Sequence, residues 1–157
     1  MNALEHSLFE VSKLFLMPVL VLIALSLVYA LAMLGAFLVE SLLRMRGSYR
    51  SRLVHHAEAS GAASADLELW IMKQLEWLRI VARCAPMLGL VATMIPMGPA
   101  LLALTTNDSR SISENLVVAF SAVILALVSA AITFFVLSIK RRWFLQELRA
   151  IERQRGN

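Results

Sequence analysis

Three stretches of this chain hold no Asp, Glu, Lys or Arg, and within them a few hydroxyls carry nearly all the hydrogen-bonding capacity of the side chains. Four of these matter most: Thr93 in "CAPMLGLVATMIPMGPALLAL" (84–104), and Ser121, Ser129 and Thr133 in "NLVVAFSAVILALVSAAITFFVLSI" (115–139). A hydroxyl both donates and accepts, so a set of them can ease a proton or a protonatable group through an apolar region without trapping it on a fixed charge. Counted inward from the ends of their charge-free runs, Thr93 and Ser129 both fall roughly 14 to 15 Å deep, which predicts one polar level. The competing reading is that each hydroxyl merely caps a carbonyl of its own helix, one turn back.

Covalent chemistry finds no support. The sequence has no Gly-rich phosphate loop, no G-x-S-x-G and no H-E-x-x-H. His55 and His56 are adjacent in a polar connector and His6 is distant, so no metal-ligand spacing arises, and single Cys84 excludes an intramolecular disulfide. We therefore expect no enzyme, no cofactor and no metal.

The elements that must position the hydroxyls follow from composition. With 59% hydrophobic residues the chain exceeds the ~45 to 50% of soluble domains. The charge-free runs cover 14–39, 84–107 and 115–139, each longer than the roughly 20 residues that cross a bilayer core. We read them as three transmembrane helices of an all-α integral membrane protein, the first retained as a span rather than cleaved as a signal.

Basic residues give the orientation. Segments 1–13 and 107–114 hold one Lys or Arg each, whereas 40–83 holds seven and 140–157 holds six. The positive-inside rule places the two rich segments in the cytoplasm. This predicts an external N-terminal segment (1–13), a cytoplasmic connector (40–66), an external turn (108–114) and a cytoplasmic C-terminal helix (140–157). The net charge of +4 then reflects topology, and no nucleic-acid partner is expected.

Within the cytoplasmic section, Leu67, Trp70, Ile71, Leu75, Trp77, Leu78, Val81 and Ala82 share one arc at helical spacing. No breaker separates them from Cys84, so 67–107 reads as one rod, an amphipathic helix running into the second span. The arc can pack on its own chain, but a self-association face is the sharper expectation, because little cytoplasmic mass is available to cover two tryptophans. Lys140, Arg141 and Arg142 are expected at the lipid headgroups, with Trp143 in the aromatic belt.

The spans differ in character. The first is large-residue-rich all round and suited to lipid, with Ser26 its only hydroxyl besides Tyr29. The third aligns Ala119, Ala122, Ala126 and Ala130, small residues that allow close helix approach. The second carries Pro86, Gly89, Pro96, Gly98 and Pro99, which predict a kinked, closely packed helix.

The segment "RCAPMLGLVATMIPMGPALLAL", with its A-P-x-x-G-L run followed by Thr93, resembles the second-span motif of the MotA/TolQ/ExbB proton-channel family, and its I-P-x-G-P continuation is similar to a short, compact branch. Residues 84 to about 143 carry the resemblance. It implies an inner-membrane homopentamer whose second and third spans line a central pore holding a single-span ExbD, TolR or MotB-like dimer. A partner aspartate would carry protons, and the gradient would be turned into mechanical work. Thr93 matches the pore-facing hydroxyl, and Pro86 and Gly89 match the kink and packing positions. The third span departs from the pattern: Ser121 and Ala122 stand where many members have an acidic residue, and no hydroxyl matches the usual threonine. A titrating group would then come from the partner or a second subunit, or this chain is a non-conducting assembly subunit. A small-molecule transporter fits less well, since the spans show no substrate cage and no inverted repeat.

Overall fold

The computed structural model describes residues 3–46, 64–105 and 108–155, and among these it contains helix and no strand. Four helices follow in order: α1 (Ala3–Met45), α2 (Ser64–Gln74), α3 (Glu76–Thr105) and α4 (Ser109–Arg155). Most of the connector, with His55 and His56, lies outside the described residues.

The helices are longer than the charge-free runs. At 1.5 Å per residue, the 47 residues of α4 reach about 70 Å, more than twice the ~30 Å hydrocarbon core. Past Ile139 the good helix formers Arg, Lys, Leu, Gln and Glu predominate, and with no internal Gly or Pro they keep α4 helical. Between α2 and α3 only Leu75 interrupts the helix. Its N–H donates to the Ile71 carbonyl and its own carbonyl accepts from Arg79, both at 3.1 Å, so the two run on as one rod. Pro86, Pro96 and Pro99 all lie inside α3 without ending it. Each proline removes its own N–H bond and presses its ring against the carbonyl four residues back, and the flanking ladder carries the helix through.

The connection between α3 and α4 sets the register of the bundle. Asp108 donates its N–H to the Ala103 carbonyl at 3.1 Å and caps α4 with its carboxylate, which accepts from the Ser111 N–H (3.2 Å) and Ser111 Oγ (2.5 Å). The Ser111 hydroxyl, then the backbone N–H groups, hold this carboxyl below the ordinary carboxylate range. A depressed pKa means that the cap is in full force above the ordinary carboxylate range and is lost as pH falls through the lowered value. We expect amide-exchange protection of the first turn of α4 to drop only at acid pH, and Asp108→Asn to retain the cap while removing that acid dependence. Protection of the Asn variant that still fell in acid would contradict this.

The helices keep this register over their whole length. A Cβ on Gly89 would sit 2.8 Å from the Ala126 Cβ, and further along Trp70 meets Phe144 edge to face at 5.9 Å. Nineteen residues along the rod are thus matched by eighteen along α4, as in an antiparallel pair. Helix α1 runs parallel to α4: Ser26 meets Ser129, and 18 residues later Arg44 meets Glu147.

Two cores result. In the apolar region Val19, Ile23, Ala92, Ala122 and Ala126 pack together. The alanine stripe of α4 is therefore used within the chain, with Ala119, Ala122, Ala126 and Ala130 all buried. Toward the basic end, Leu67, Ile71, Leu75 and Leu78 pack against Phe144, Leu148 and Ile151. This corrects the expectation that the amphipathic arc of 67–82 is a self-association face. The register lays the long extension of α4 along α2, and that extension supplies the missing cover. Only Trp77, 68% exposed, stays outside it.

Candidate functional site

The four hydroxyls separate into two pairs. Ser129 and Thr133 are wholly buried inside the chain. Thr133 donates to the Ser129 carbonyl (2.8 Å) and shares the bond with the Ala130 carbonyl (3.1 Å). Ser129 donates to Ser26 Oγ at 3.1 Å, and Ser26 donates in turn to the Ile23 carbonyl at 2.8 Å. The Ser129–Ser26 bond ties α1 to α4, Thr133 is bound within α4, and neither Ser129 nor Thr133 reaches the outer surface of the chain. Ser26 was missed as a partner, because a lone hydroxyl on a lipid-type helix gives no sign of which neighbour it meets.

Thr93 and Ser121 keep access to the surroundings. Thr93 is half-buried on α3, beside fully buried Ala92 and exposed Met94. Its Oγ1 donates to the Leu90 carbonyl at 2.7 Å, which leaves oxygen lone pairs to accept from a group outside. Ser121 is exposed on α4.

The expected single level of Thr93 and Ser129 is overturned by the register. Thr93 lies four residues from Gly89 toward the turn and Ser129 three residues from Ala126 away from it, so the two are about 10 Å apart along the hairpin. The cause is that the charge-free run of α4 continues well past the level of Cys84, so its end is no guide to depth. Ser121, five residues from Ala126 toward the turn, stands at the level of Thr93 to within about one residue.

The motif residues of α3 serve the packing. Gly89 is buried and its missing side chain admits Ala126, while Pro96 is buried and Pro86, Gly98 and Pro99 are half-buried.

A charged cluster at the basic end was also missed. Arg44 pairs with Glu147 (2.7 Å) and Glu40 (3.3 Å), and Glu40 pairs with Lys140 (3.2 Å). Trp143 is stacked on Phe37 at 5.2 Å with the Arg44 guanidinium 4.3 Å from its ring. Half-buried Trp143 therefore ties α1 to α4, and Lys140 is paired and largely covered; Arg141 and Arg142 remain exposed. Segments 40–46 and 140–147 had read as a linker and an anchor because charge counts say nothing of pairing. Among the described residues no group of His, Cys, Asp and Glu could hold a metal ion.

Three helices long and apolar enough to cross a membrane, packed by small residues and with hydroxyls as their polar groups, define a multi-pass helical membrane protein. Residues 31–153 match the MotA/TolQ/ExbB proton channel family, and the chain belongs to it. That is a family of membrane channels rather than of enzymes. No curated protein and no solved structure matches the chain.

Proposed function

We propose that this chain is the channel subunit of an ion-driven motor in the inner membrane, assembled as a ring, by family resemblance a homopentamer. The N-terminus lies outside and the C-terminus in the cytoplasm, in keeping with the basic residues of 40–83 and 140–157. A dimer of single-span, ExbD, TolR or MotB-like partners occupies the pore and contributes the titrating carboxyl that the spans of this chain lack. The observation that carries this reading is Thr93: a half-buried hydroxyl on the motif helix, level with Ser121, whose oxygen accepts while its proton rests on Leu90.

The chemistry suits a carboxyl that cycles between two states. A protonated carboxyl donates to the Thr93 oxygen. Once ionised, it accepts a hydrogen bond from the Thr93 hydroxyl, whose O–H swings away from the Leu90 carbonyl and keeps its proton. A hydroxyl serves both states and holds neither, so the partner can move on. Ser129 and Thr133, committed within the chain, are assigned to its internal structure and not to the ion path. A proton is the favoured ion, because a desolvated Na⁺ site calls for several convergent oxygens.

A second reading has one observation in its favour. Two of the four hydroxyls are used internally and no acidic residue lies in the spans, as suits a subunit that holds partners without conducting. Native mass spectrometry of the chain co-expressed with its genomic neighbour tests the choice. The motor reading expects five copies retaining one or two single-span proteins with a transmembrane Asp. A dimer or trimer, or a ring that never retains such a partner, would move the assignment to the scaffold.

A further inference from the structure

Between the α2–α3 rod and α4 lies a cavity of about 200 Å³, smaller than the ~300 to 1,000 Å³ of drug-sized sites, so it suits a single small group. Buried Ile71 and Leu75 form its floor, and Met72 and Leu145 stand exposed at its rim. Its charged lining is half-buried Arg79 from α3, exposed Arg141 from α4 and exposed Glu68 from α2. Among the described residues neither guanidinium has an ion pair or a hydrogen-bond partner, whereas Lys140, beside Arg141, is paired with Glu40.

The register aims the two arginines at the same space. With Gly89 against Ala126, Arg79 lies ten residues toward the basic end on α3 and Arg141 fifteen on α4, so their Cα atoms are about 7 to 8 Å apart along the axis. Helix side chains lean toward their own N-terminus, and in an antiparallel pair these two therefore lean toward each other. Glu68 lies about 9 Å beyond Arg141 and leans away from both. Two like charges from different helices thus face one cavity, with no carboxylate at ion-pair distance from either. An anion between them turns that repulsion into two attractions.

We infer that this cavity binds one phosphate group, clamped between Arg79 and Arg141. Each guanidinium is a planar fork that takes two oxygens. A tetrahedral phosphate offers oxygens to both walls at once, while the two oxygens of a carboxylate lie in one plane and serve one fork. Two sources can supply the group. Arg79 stands five residues before the charge-free run 84–107 and Arg141 two residues after the run 115–139, within reach of a phospholipid headgroup. The exposed rim at Met72 and Glu68 admits a small phosphate from solution. The site is remote from Thr93, and the inference holds whether or not the chain conducts.

The test has two arms, both with the full chain. In the first it is reconstituted in bilayers of equal parts phosphatidylglycerol and phosphatidylcholine, extracted mildly and weighed by native mass spectrometry. In the second it is held in phosphatidylcholine alone and titrated calorimetrically with inorganic phosphate. We expect one phosphatidylglycerol per chain, enriched on the order of tenfold over phosphatidylcholine, whose own cation the arginines repel, or one inorganic phosphate per chain. Arg79→Gln and, independently, Arg141→Gln should each weaken that binding on the order of tenfold, with thermal unfolding unchanged because neither guanidinium has a partner to lose. Arg142→Gln, exposed next door but outside the lining, should leave binding intact, and Glu68→Gln should leave it intact or tighten it. Arg79-dependent binding in the lipid arm assigns the group to a headgroup, and in the solution arm alone to a soluble phosphate; either bears the inference out. No binding in both arms, full binding by either arginine variant, an equal loss in Arg142→Gln, or weaker binding by Glu68→Gln would overturn it.

Discussion

Gly89→Leu is expected to force α3 and α4 apart and to abolish whatever assembly the chain forms. A single Cβ at this position already meets the Ala126 Cβ at 2.8 Å, with Val123 at 3.5 Å behind it. Both contacts are short, stiff groups, buried Ala126 and half-buried β-branched Val123, so neither can swing aside. Ordinary overpacking costs about 1 to 3 kcal/mol, and a leucine adds three more carbons to a gap that does not hold the first. Gly89→Ala separates two opposed effects, because alanine gains roughly 1 kcal/mol in helix propensity while introducing the 2.8 Å contact. We expect the contact to win, leaving Gly89→Ala less stable than the parent. Gly35→Ala, with nothing within 4 Å, should be neutral to stabilising by up to about 1 kcal/mol. Thermal unfolding in detergent ranks the three variants, and native mass spectrometry reads the assembly. An unchanged melting temperature for Gly89→Leu would remove the hairpin from its place at the centre of the packing.

Thr93→Val should do the opposite, abolishing ion-driven activity with little effect on the fold. Valine has nearly the same shape, and the bond that is lost runs to a carbonyl of the same helix, Leu90 at 2.7 Å. Even side-chain hydrogen bonds between membrane helices are worth only about 0.6 kcal/mol on average, and this one lies within a single helix. The cost to the proposed mechanism is larger, because valine can neither accept from a protonated carboxyl nor donate to an ionised one. Proton flux into vesicles containing the chain and its co-purified partner should fall to background, and Thr93→Ser should restore it. Parent-like flux in Thr93→Val would end the role proposed for this residue and favour the scaffold.

Much of this was legible in the sequence. Charge-free runs gave the three spans, and the amphipathic spacing of 67–82 marked a helix that runs on toward Cys84. Close approach at Gly89 and the alanine stripe were readable because small residues at helical spacing have few other uses. What stayed hidden depends on which residue lies beside which. The offset between Thr93 and Ser129 follows from the capped turn at Asp108, while the run boundaries used to judge depth mark only where charges begin. The Ser26–Ser129 bond and the ties among Glu40, Arg44, Lys140 and Trp143 join positions about a hundred residues apart, beyond any local pattern. The cover over Leu67 and Ile71 needed the same knowledge, since it comes from the far end of α4.

Because no loop interrupts α4 and only Leu75 interrupts the rod beside it, the antiparallel pair behaves as a beam. A beam has no place to absorb an error in length. One residue added within α4 between Glu114 and Ser121 would advance the rest of the helix by 1.5 Å and turn it by about 100°. Ala126 would leave Gly89, and Phe144 would leave Trp70 more than 25 Å further on, in the same stroke.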